Sequence, residues 1–369
     1  MAFNRNRQIS IAAKAFFQLP NSARVAILAV LVGIALTAFL TQRPQRPAEP
    51  LPPGTVVFMF WNVENLFDDR DDPRNTTDEP YDNWFASDDA ARKLKYDHLA
   101  DIILKANDGK GPDLFAAVEV ESKRAAELLR DALNAKLPAG ATKYEHVAMK
   151  ELAANAGRHI APCVISRLPL DTDRTKLLGS NSIRILETHV AGPNADLCLV
   201  VSHWTSQRSD DGSRKGRGRD RYATTIYREY ERVMKDNPDA DFLVCGDFNT
   251  PPSSEAVSQE LHMTGRRDDV TPTKTSPKFF GLLSEKSPDK FGTHFYSGKP
   301  LIYDQVGVSP GMLDDKGWSC DPESVRVPTA GMQRDRNRRR PWRFGDEKEN
   351  PQGRGYSDHF PVVVNLRVK

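Results

Sequence analysis

FLVCGDFNTP, residues 242–251, decides the fold, because an apolar run in it ends directly at a carboxylate and an amide. The run predicts a buried β-strand. Gly246 predicts a tight turn, and alternation along a strand would place Asp247 and Asn249 on the same side. Taken alone, the stretch is also typical of an Asx turn, so its meaning depends on the rest of the chain.

Other apolar runs along the chain also end or begin at polar residues. These are Asn62 after VVFMFW, Glu119 after DLFAAV, His203 after CLVVS, Asp304 before QVGV, and Asp358 and His359 before FPVVV. Strand ends beside turns are where a scaffold can present reactive groups without burying them. Oxygen ligands together with two histidines suit a hard divalent metal and phosphoester hydrolysis, so we expect these residues to form one site.

The order of the motifs WNVEN, VEVES, SHW, GDFN and SDHF resembles that of the endonuclease/exonuclease/phosphatase superfamily of metal-dependent phosphoesterases. The resemblance covers residues 55–369 and rests on several ordered motifs rather than on one. It implies an α/β fold: a four-layer sandwich of two mostly antiparallel sheets flanked by helices. It also implies Mg²⁺ or Mn²⁺ as the cofactor of a phosphoric ester hydrolase.

The resemblance implies a metal-binding role for three residues. Asn62 would support the metal shell and the phosphate, Glu119 would be the principal ligand, and Asp358 would lie on the metal side of the catalytic histidine. The family usually has glutamine before the glutamate, whereas Val118 stands there in this chain. The change removes a hydrogen-bonding group but leaves the ligand in place.

The catalytic roles are likewise implied by the resemblance. Asp247 and Asn249 would position the nucleophile and the phosphate, and Asp304 would orient the catalytic His359. His203 would be a second histidine that faces the phosphate, and the division of work between the two histidines stays open. Both His203 and Asn249 would bind substrate.

Polar residues close to these motifs are expected to have structural roles. Glu64, Asn65 and Glu121 are predicted to be turn or surface groups, because polar groups at strand exits commonly bind backbone or water. Arg221 could contact the scissile phosphate, since it lies at the expected start of a helix.

The first 54 residues differ in composition from the rest. We predict a basic cytoplasmic N-terminus at 1–24, a transmembrane anchor at 25–41 and a proline-rich linker at 42–54, followed by a catalytic domain at 55–369. The excess of arginine and lysine before the apolar segment predicts a single-pass protein with the catalytic domain outside the cytoplasm. The alternatives are a secreted protein with a cleaved signal peptide and a buried core helix.

The amino-acid composition excludes few classes of partner or site. The net charge of +2 over 369 residues is too small to specify a partner. The four cysteines form no CxxC pair, so the spacing does not support a zinc site. Buried free thiols are expected at Cys163, Cys198 and Cys245, and Cys320 is expected in a loop.

Two basic runs favour a polyanionic substrate. They occupy residues 207–221 and 334–343, and a nucleic acid would be recognised by such loops at the rim of the site. They could equally be solvated loops. The sequence therefore predicts an endonuclease or exonuclease. A phosphodiesterase or phosphatase for phospholipid headgroups or sugar and inositol phosphates, and a non-catalytic binding module, remain the alternatives.

Overall fold

The computed structural model describes Pro20 and residues 54–369 except 153–156, 181–182, 193–194, 208–216 and 336–337. Apart from Pro20 and Gly54, the predicted N-terminal segment, anchor and linker lie outside the described residues. Within the described ranges, no helix combines the length and apolar character that crossing a membrane requires.

Six strands form the first sheet. In spatial order they are β14 (Trp318–Arg326), β17 (Val362–Val368), β1 (Thr55–Leu66), β2 (Leu114–Val120), β4 (Ala161–Ser166) and β3 (His146–Met149). Strands β1 and β2 are parallel, and every other neighbouring pair is antiparallel.

Seven strands form the second sheet. In spatial order they are β5 (Leu170–Leu177), β6 (Ile185–Ala191), β7 (Asp196–His203), β8 (Asp241–Asp247), β13 (Asp304–Val308), β10 (Phe279–Gly281) and β9 (Met263–Thr264). The pairs β7/β8 and β9/β10 are parallel and the others are antiparallel. Two short hairpins are β11 (His294–Tyr296) with β12 (Lys299–Leu301), and β15 (Gln333–Asp335) with β16 (Arg338–Pro341).

The central core lies between the two sheets. Alternate residues such as Phe58 and Phe60 of β1 contribute to the same buried cluster as Leu199 of β7 and Leu243 of β8. Alternate side chains of a strand point to opposite faces, so this cluster marks the faces by which the sheets pack together.

The described residues form five α-helices. They are α1 (Glu79–Ser87), α2 (Asp89–Ile103), α3 (Lys123–Lys136), α4 (Arg217–Asp236) and α5 (Pro288–Phe291). Tyr222, Ile226 and Tyr230 of α4 share a buried cluster with Phe242 on the outer side of the second sheet. Helix α3 contacts three strands of the first sheet. The predicted two mostly antiparallel sheets flanked by helices are therefore confirmed.

The cysteine predictions are mostly confirmed. All four residues are free thiols, and Cys163, Cys198 and Cys245 are buried. The prediction for Cys320 was wrong, since it belongs to strand β14 and pairs with Leu366.

The topology brings six strand termini to one end of the sandwich. Strands β1, β2, β7 and β8 end there, and β13 and β17, which run antiparallel to their neighbours, begin there. The inward alternation that places Leu199 and Val201 in the core reaches His203 next, and the alternation through Leu243 and Cys245 reaches Asp247. The predicted site residues therefore continue the core-facing rows.

Candidate active site

Asp247 lies at the centre of the predicted residues. It is the register partner of His203 on one side and of Asp304 on the other, so three adjacent strands present their side chains at one level. Its Oδ2 atom accepts a hydrogen bond from Nδ2 of Asn62 at 3.1 Å. The same oxygen lies 3.7 Å from Nε2 of both His203 and His359.

The environment of Asp247 tunes its acidity. Burial raises the pKa of Asp247 to about 7, although His359 opposes this rise. The backbone N–H of Asn249 donates to Oδ1 at 2.9 Å and holds the carboxylate in place. A carboxylate with a pKa near neutrality can accept and release a proton at physiological pH.

His359 is paired with Asp304. The Nδ1 atom of His359 lies 2.7 Å from Oδ2 of Asp304. Burial lowers the pKa of His359, but the carboxylates of Asp304 and Asp247 outweigh burial and raise it well above its usual value. His359 is therefore an imidazolium at neutral pH, with Nε2 directed towards Asp247.

His203 is neutral, in contrast to the charged His359. Burial, together with Arg184, His359 and Arg158, lowers the pKa of His203 well below its usual value, so the ring is neutral. Its Nε2 atom lies 3.8 Å from Oε1 of Glu119. Its Nδ1 atom is buried and has no hydrogen-bond partner among the described residues.

A local backbone irregularity orients Glu119. The residue has a φ of 65°, and the pairing register shifts around it between Ala117 and Val120. Its Oε1 atom then accepts from Nδ2 of Asn62 at 3.2 Å, and Oε2 accepts from the backbone of Asn65 at 3.0 Å. The amide of Asn62 thus connects the predicted metal ligand to Asp247.

The GDFN turn is built differently from the prediction. Gly246 has no positive φ, and a Cβ placed on it would lie 2.2 Å from the carbonyl oxygen of Ser202. The glycine is required by the close approach of β7, not by a tight turn. Strand β8 ends at Asp247, and Asn249, with a φ of 51°, directs its Nδ2 to the carbonyl of Trp204 at 3.1 Å. Strand alternation therefore does not govern Asn249.

Glu64 was wrongly predicted to be a turn or surface group. It is 5% exposed and accepts hydrogen bonds from the backbone of Phe344 at 2.7 Å and from Nε of Arg343 at 3.2 Å. Burial and the neighbouring Asp358 raise the pKa of Glu64 to about 7. Glu64 thus belongs to the same group of carboxylates as Asp358.

Lys95 is a buried cation beside these carboxylates. It is 0% exposed, and Nζ donates to the carbonyl of Tyr356 at 2.8 Å. Burial lowers the pKa of Lys95 to about 8, while Glu64, Asp358 and Glu119 oppose this effect. Lys95 belongs to helix α2 and to none of the predicted motifs, so the sequence contained no signal of its proximity to the site.

Glu121 was also wrongly predicted to be at the surface. It is 3% exposed and forms an ion pair with Arg74, whose Nε lies 2.8 Å from Oε1. Burial and a hydrogen bond with Asp82 raise the pKa of Glu121 to about 9. Asn65 is half-buried and accepts a hydrogen bond from Arg158 at 2.7 Å. Glu121 and Asn65 therefore each bind an arginine from another part of the chain, Arg74 and Arg158 respectively.

The donor set fits a hard divalent cation. Glu119, Asp358 and Glu64 supply carboxylates. The amide oxygen of Asn62 accepts the backbone N–H of Glu64 at 3.0 Å and its Nδ2 faces Glu119, so Asn62 positions a ligand rather than supplying one. Burial raises the pKa of Asp358, but the groups around it, His359 first among them, outweigh burial and lower it. A carboxylate such as Asp358 that stays ionised in a buried, oxygen-rich group suits Mg²⁺ or Mn²⁺.

Two further residues of the site escaped prediction. His294, on β11, stacks on His359 with ring centroids 4.4 Å apart, and burial together with His359 lowers the pKa of His294 to about 4. Arg184 lies within hydrogen-bond reach of the carbonyl of Trp204 at 3.5 Å. Neither residue belongs to one of the predicted motifs, so the sequence contained no signal for them.

Arg221 lies apart from the hydrogen bonds of this group. Its Nη2 atom donates to Oγ of Ser180 at 3.4 Å, so its substrate-binding role stays a prediction. Residues 208–216 of the first basic run lie outside the described residues. In the second run, Arg343 forms an ion pair with Glu64 and therefore borders the carboxylates directly.

Solved structures with the same fold are known. TDP2 of Caenorhabditis elegans, in a truncated form, is similar at 15% identity with a TM-score of 0.50 over 85% of this chain and 98% of that one. An endonuclease/exonuclease/phosphatase family protein of Bacteroides thetaiotaomicron has 13% identity and a TM-score of 0.51 over 86% and 99%. Sphingomyelinase C of Streptomyces griseocarneus has 13% identity and a TM-score of 0.50 over 85% and 99%.

At these identities the likeness shows the fold alone. Comparison with curated protein sequences gave no match. A family model described as "Endonuclease/Exonuclease/phosphatase family" matches residues 178–368, just over half of the chain. That match includes the His203, GDFN and Asp358–His359 motifs. The protein therefore belongs to the endonuclease/exonuclease/phosphatase family.

Proposed function

We propose that this protein is a Mg²⁺- or Mn²⁺-dependent phosphodiesterase and that its substrate is nucleic acid. The observation that carries the proposal is the position of Asp247, whose Oδ2 atom is 3.7 Å from Nε2 of both His203 and His359. A proton acceptor and two imidazoles thus converge on one buried point. A general base together with hydrogen-bond donors for the phosphate can catalyse hydrolysis of a phosphodiester.

Asp247 acts on the attacking water. Its pKa of about 7 suits it to accept the proton of a water held beside it, and the hydrogen bonds from Asn62 and Asn249 fix the direction of the carboxylate. An oriented base of this kind typically contributes about 10²–10⁴-fold to the rate.

The histidines act on the phosphate. His359, charged because of Asp304, can donate from Nε2 to a phosphoryl or leaving-group oxygen, and neutral His203 can donate one further hydrogen bond. The metal ion, held by Glu119, Asp358 and Glu64 with Asn62 positioning Glu119, would offset the negative charge of the phosphate. Fixed charges of this kind stabilise the transition state without needing to reorganise.

The surrounding cations support a nucleic acid substrate. Arg158 and Arg184 lie close enough to His203 to lower its pKa, and Arg343 borders Glu64. The basic run that includes Arg343 would extend this positive surface along a phosphate backbone. Binding that depends on such contacts weakens steeply as salt is added.

A panel of substrates tests the proposal. The full-length protein, purified in detergent, is assayed with single- and double-stranded DNA, RNA and bis(p-nitrophenyl) phosphate, each with Mg²⁺ and with EDTA. We expect EDTA-sensitive cleavage that Asp247→Asn and His359→Gln reduce by at least about 100-fold. Undiminished cleavage in both variants would refute the site.

A second candidate is hydrolysis of phospholipid headgroups. It is favoured by the fold shared with a sphingomyelinase C and by the predicted anchor at residues 25–41. Sphingomyelin and phosphatidylinositol vesicles, with sugar phosphates, belong in the same panel. Cleavage of a neutral-headgroup lipid should change little between low and high salt, whereas nucleic acid cleavage should fall steeply. Failure to bind Mg²⁺ or Mn²⁺ in calorimetry would instead indicate a binding module.

The location of the protein is also a proposal. The apolar segment at 25–41 would anchor the chain with its N-terminus in the cytoplasm and residues 55–369 outside it. Alkaline extraction of native membranes should leave the protein in the pellet. Full-length protein in the supernatant would contradict the predicted membrane anchor, and a shortened chain in the medium would indicate a cleaved signal peptide.

A further inference from the structure

We propose that the outer face of the second sheet carries a separate zinc site formed by Glu187, His189 and Cys198. Ligand atoms of these three side chains all lie within 4.8 Å of one another. They come from strands β6 and β7, on the opposite face from His203 and Asp247. Carboxylate, imidazole and thiolate together form a ligand set that Zn²⁺ accepts and Mg²⁺ does not.

Strand register brings the three residues together. His189 and Cys198 are direct partners across β6 and β7, and Glu187 is two residues before His189 and so on the same face. Cys198 is five residues before His203, which places it about 17 Å away along an extended strand. Cysteine spacing could not reveal this site, because its ligands come from two strands and include one cysteine.

An unsatisfied atom points to a missing ligand. Glu187 is 2% exposed, and its Oε1 atom contacts Nζ of Lys176 at 3.1 Å and Nε2 of His189 at 3.3 Å. Its Oε2 atom is buried with no hydrogen-bond partner among the described residues. A cation at Oε2 would satisfy this atom and leave the contact with Lys176 in place.

His189 is oriented as metal-bound histidines usually are. Its Nδ1 atom lies 2.9 Å from Oδ2 of Asp196, and Arg174 holds Asp196 by two contacts of 2.7 and 2.8 Å. When Nδ1 donates to Asp196, a neutral ring presents the lone pair of Nε2 to the carboxylate of Glu187. Two lone pairs in contact need a cation or a proton between them.

The cysteine can complete the site. Cys198 is 3% exposed, and burial, with the nearby Glu187, raises the pKa of its thiol well above the usual range. Binding of Zn²⁺ would release that proton, because the thiolate is the ligand. The negative charges of Glu187, Asp196 and Glu229 would offset the positive charges of the ion, Lys176 and Arg174.

The site also borders a cavity of about 330 Å³ that His189, Asp196 and Cys198 help to line, which gives the ion a path from solvent.

Metal binding to the full-length protein tests the proposal. The Glu119→Gln variant serves as background, so that the active-site metal is weakened, and protein stripped with chelator is dialysed against Co²⁺ or Zn²⁺. We expect one ion per chain and, with Co²⁺, a thiolate-to-metal charge-transfer band in the near ultraviolet. Absence of the band, or of any bound ion, would overturn the proposal.

Variants assign the ligands. Cys198→Ser should abolish the band, His189→Gln should lower zinc affinity by at least tenfold, and Asp196→Asn should lower it by about 10- to 100-fold. Cys163→Ser, a buried cysteine of the other sheet, is the matched control and should retain the band. If Cys198→Ser does not fold, His189→Gln decides, and unchanged zinc affinity in that variant would also overturn the site. With Glu119 intact, cleavage supported by Mg²⁺ alone is expected to be the same in the Cys198→Ser single variant and the wild-type protein, which separates this site from the proposed catalytic one.

Discussion

The imidazole of His359 and the carboxylate of Asp304 form a buried pair, with Nδ1 2.7 Å from Oδ2, although 55 residues separate them in the chain. The pair joins the start of β13 to the loop that enters β17. It fixes the ring so that Nε2 faces Asp247, and it keeps the ring charged. The contact with Asp304 therefore fixes the orientation of the proposed acid, and with Asp247 it maintains its charge.

Replacing Asp304 should shift the pH dependence of activity. Burial lowers the pKa of His359 and Asp304 raises it, so Asp304→Asn should lower the pKa while keeping the volume. The imidazolium would then be lost at a lower pH, and the alkaline limb of kcat/KM should move to lower pH. A variant whose limb stays where it is in the parent would show that His359 is not the titrating acid.

Loss of His203 should slow the reaction without unfolding the protein. His203→Gln removes a hydrogen-bond donor aimed at the phosphate, and we expect kcat to fall by about 10²–10⁴-fold. His146→Gln, in the half-buried edge strand β3, is the matched control and should keep full activity. Circular dichroism and thermal unfolding confirm that both variants are folded, and equal rates would remove His203 from the mechanism.

Glu64 should affect the metal requirement. Glu64→Gln removes one of the three carboxylates proposed to hold the ion, so the Mg²⁺ concentration for half-maximal activity should rise by about tenfold or more. The exposed Glu145→Gln is the control. An unchanged Mg²⁺ requirement would restrict Glu64 to its contacts with Phe344 and Arg343.

Lys95 should stabilise the metal-free protein. Lys95→Met keeps most of the volume but removes the cation beside Glu64, Asp358 and Glu119, and we expect a loss of about 3–5 kcal/mol in EDTA. Saturating Mg²⁺ should restore part of the loss, so the rise in Tm on adding Mg²⁺ should exceed that of the parent. Lys93→Met, with a side chain 75% exposed on the same helix, should behave like the parent. An equal Mg²⁺ effect in both variants contradicts the proposed coupling.

Gly246 should be sensitive to a single methyl group. Gly246→Ala would place Cβ 2.2 Å from the Ser202 carbonyl oxygen, which forces β7 and β8 apart beside Asp247. We expect a loss of about 1–3 kcal/mol in denaturant unfolding and reduced activity. Gly353→Ala has open space around it and is the control. Wild-type stability in Gly246→Ala would show that the strands adjust without cost.

Much of the fold could be predicted from hydrophobic patterns. Runs such as 242–245 and 198–202 became the central strands β8 and β7. Period-two patterning also explains why Asp247 and His203 face the same space, since both continue core-facing rows. The order of the motifs along the chain identified the family.

Features that depend on distant contacts could not be predicted. The irregular backbone at Glu119 within β2 accompanies a shift in strand pairing, and glycine is needed at 246 because a neighbouring strand lies close to it. Glu64 looked like a strand-exit residue because its burial is caused by Phe344 and Arg343, about 280 residues later in the chain. Local sequence contains no trace of such partners.

The direction of β1 has a practical consequence. Thr55 pairs with Arg367 at one end of the sandwich, while Asn62, seven residues later and about 23 Å along the strand, belongs to the catalytic group. Gly54, which precedes β1, therefore lies at the end of the sandwich remote from the reactive groups. Immobilising the domain on a resin or a sensor surface through Gly54 should leave those groups accessible to even a very long polymer.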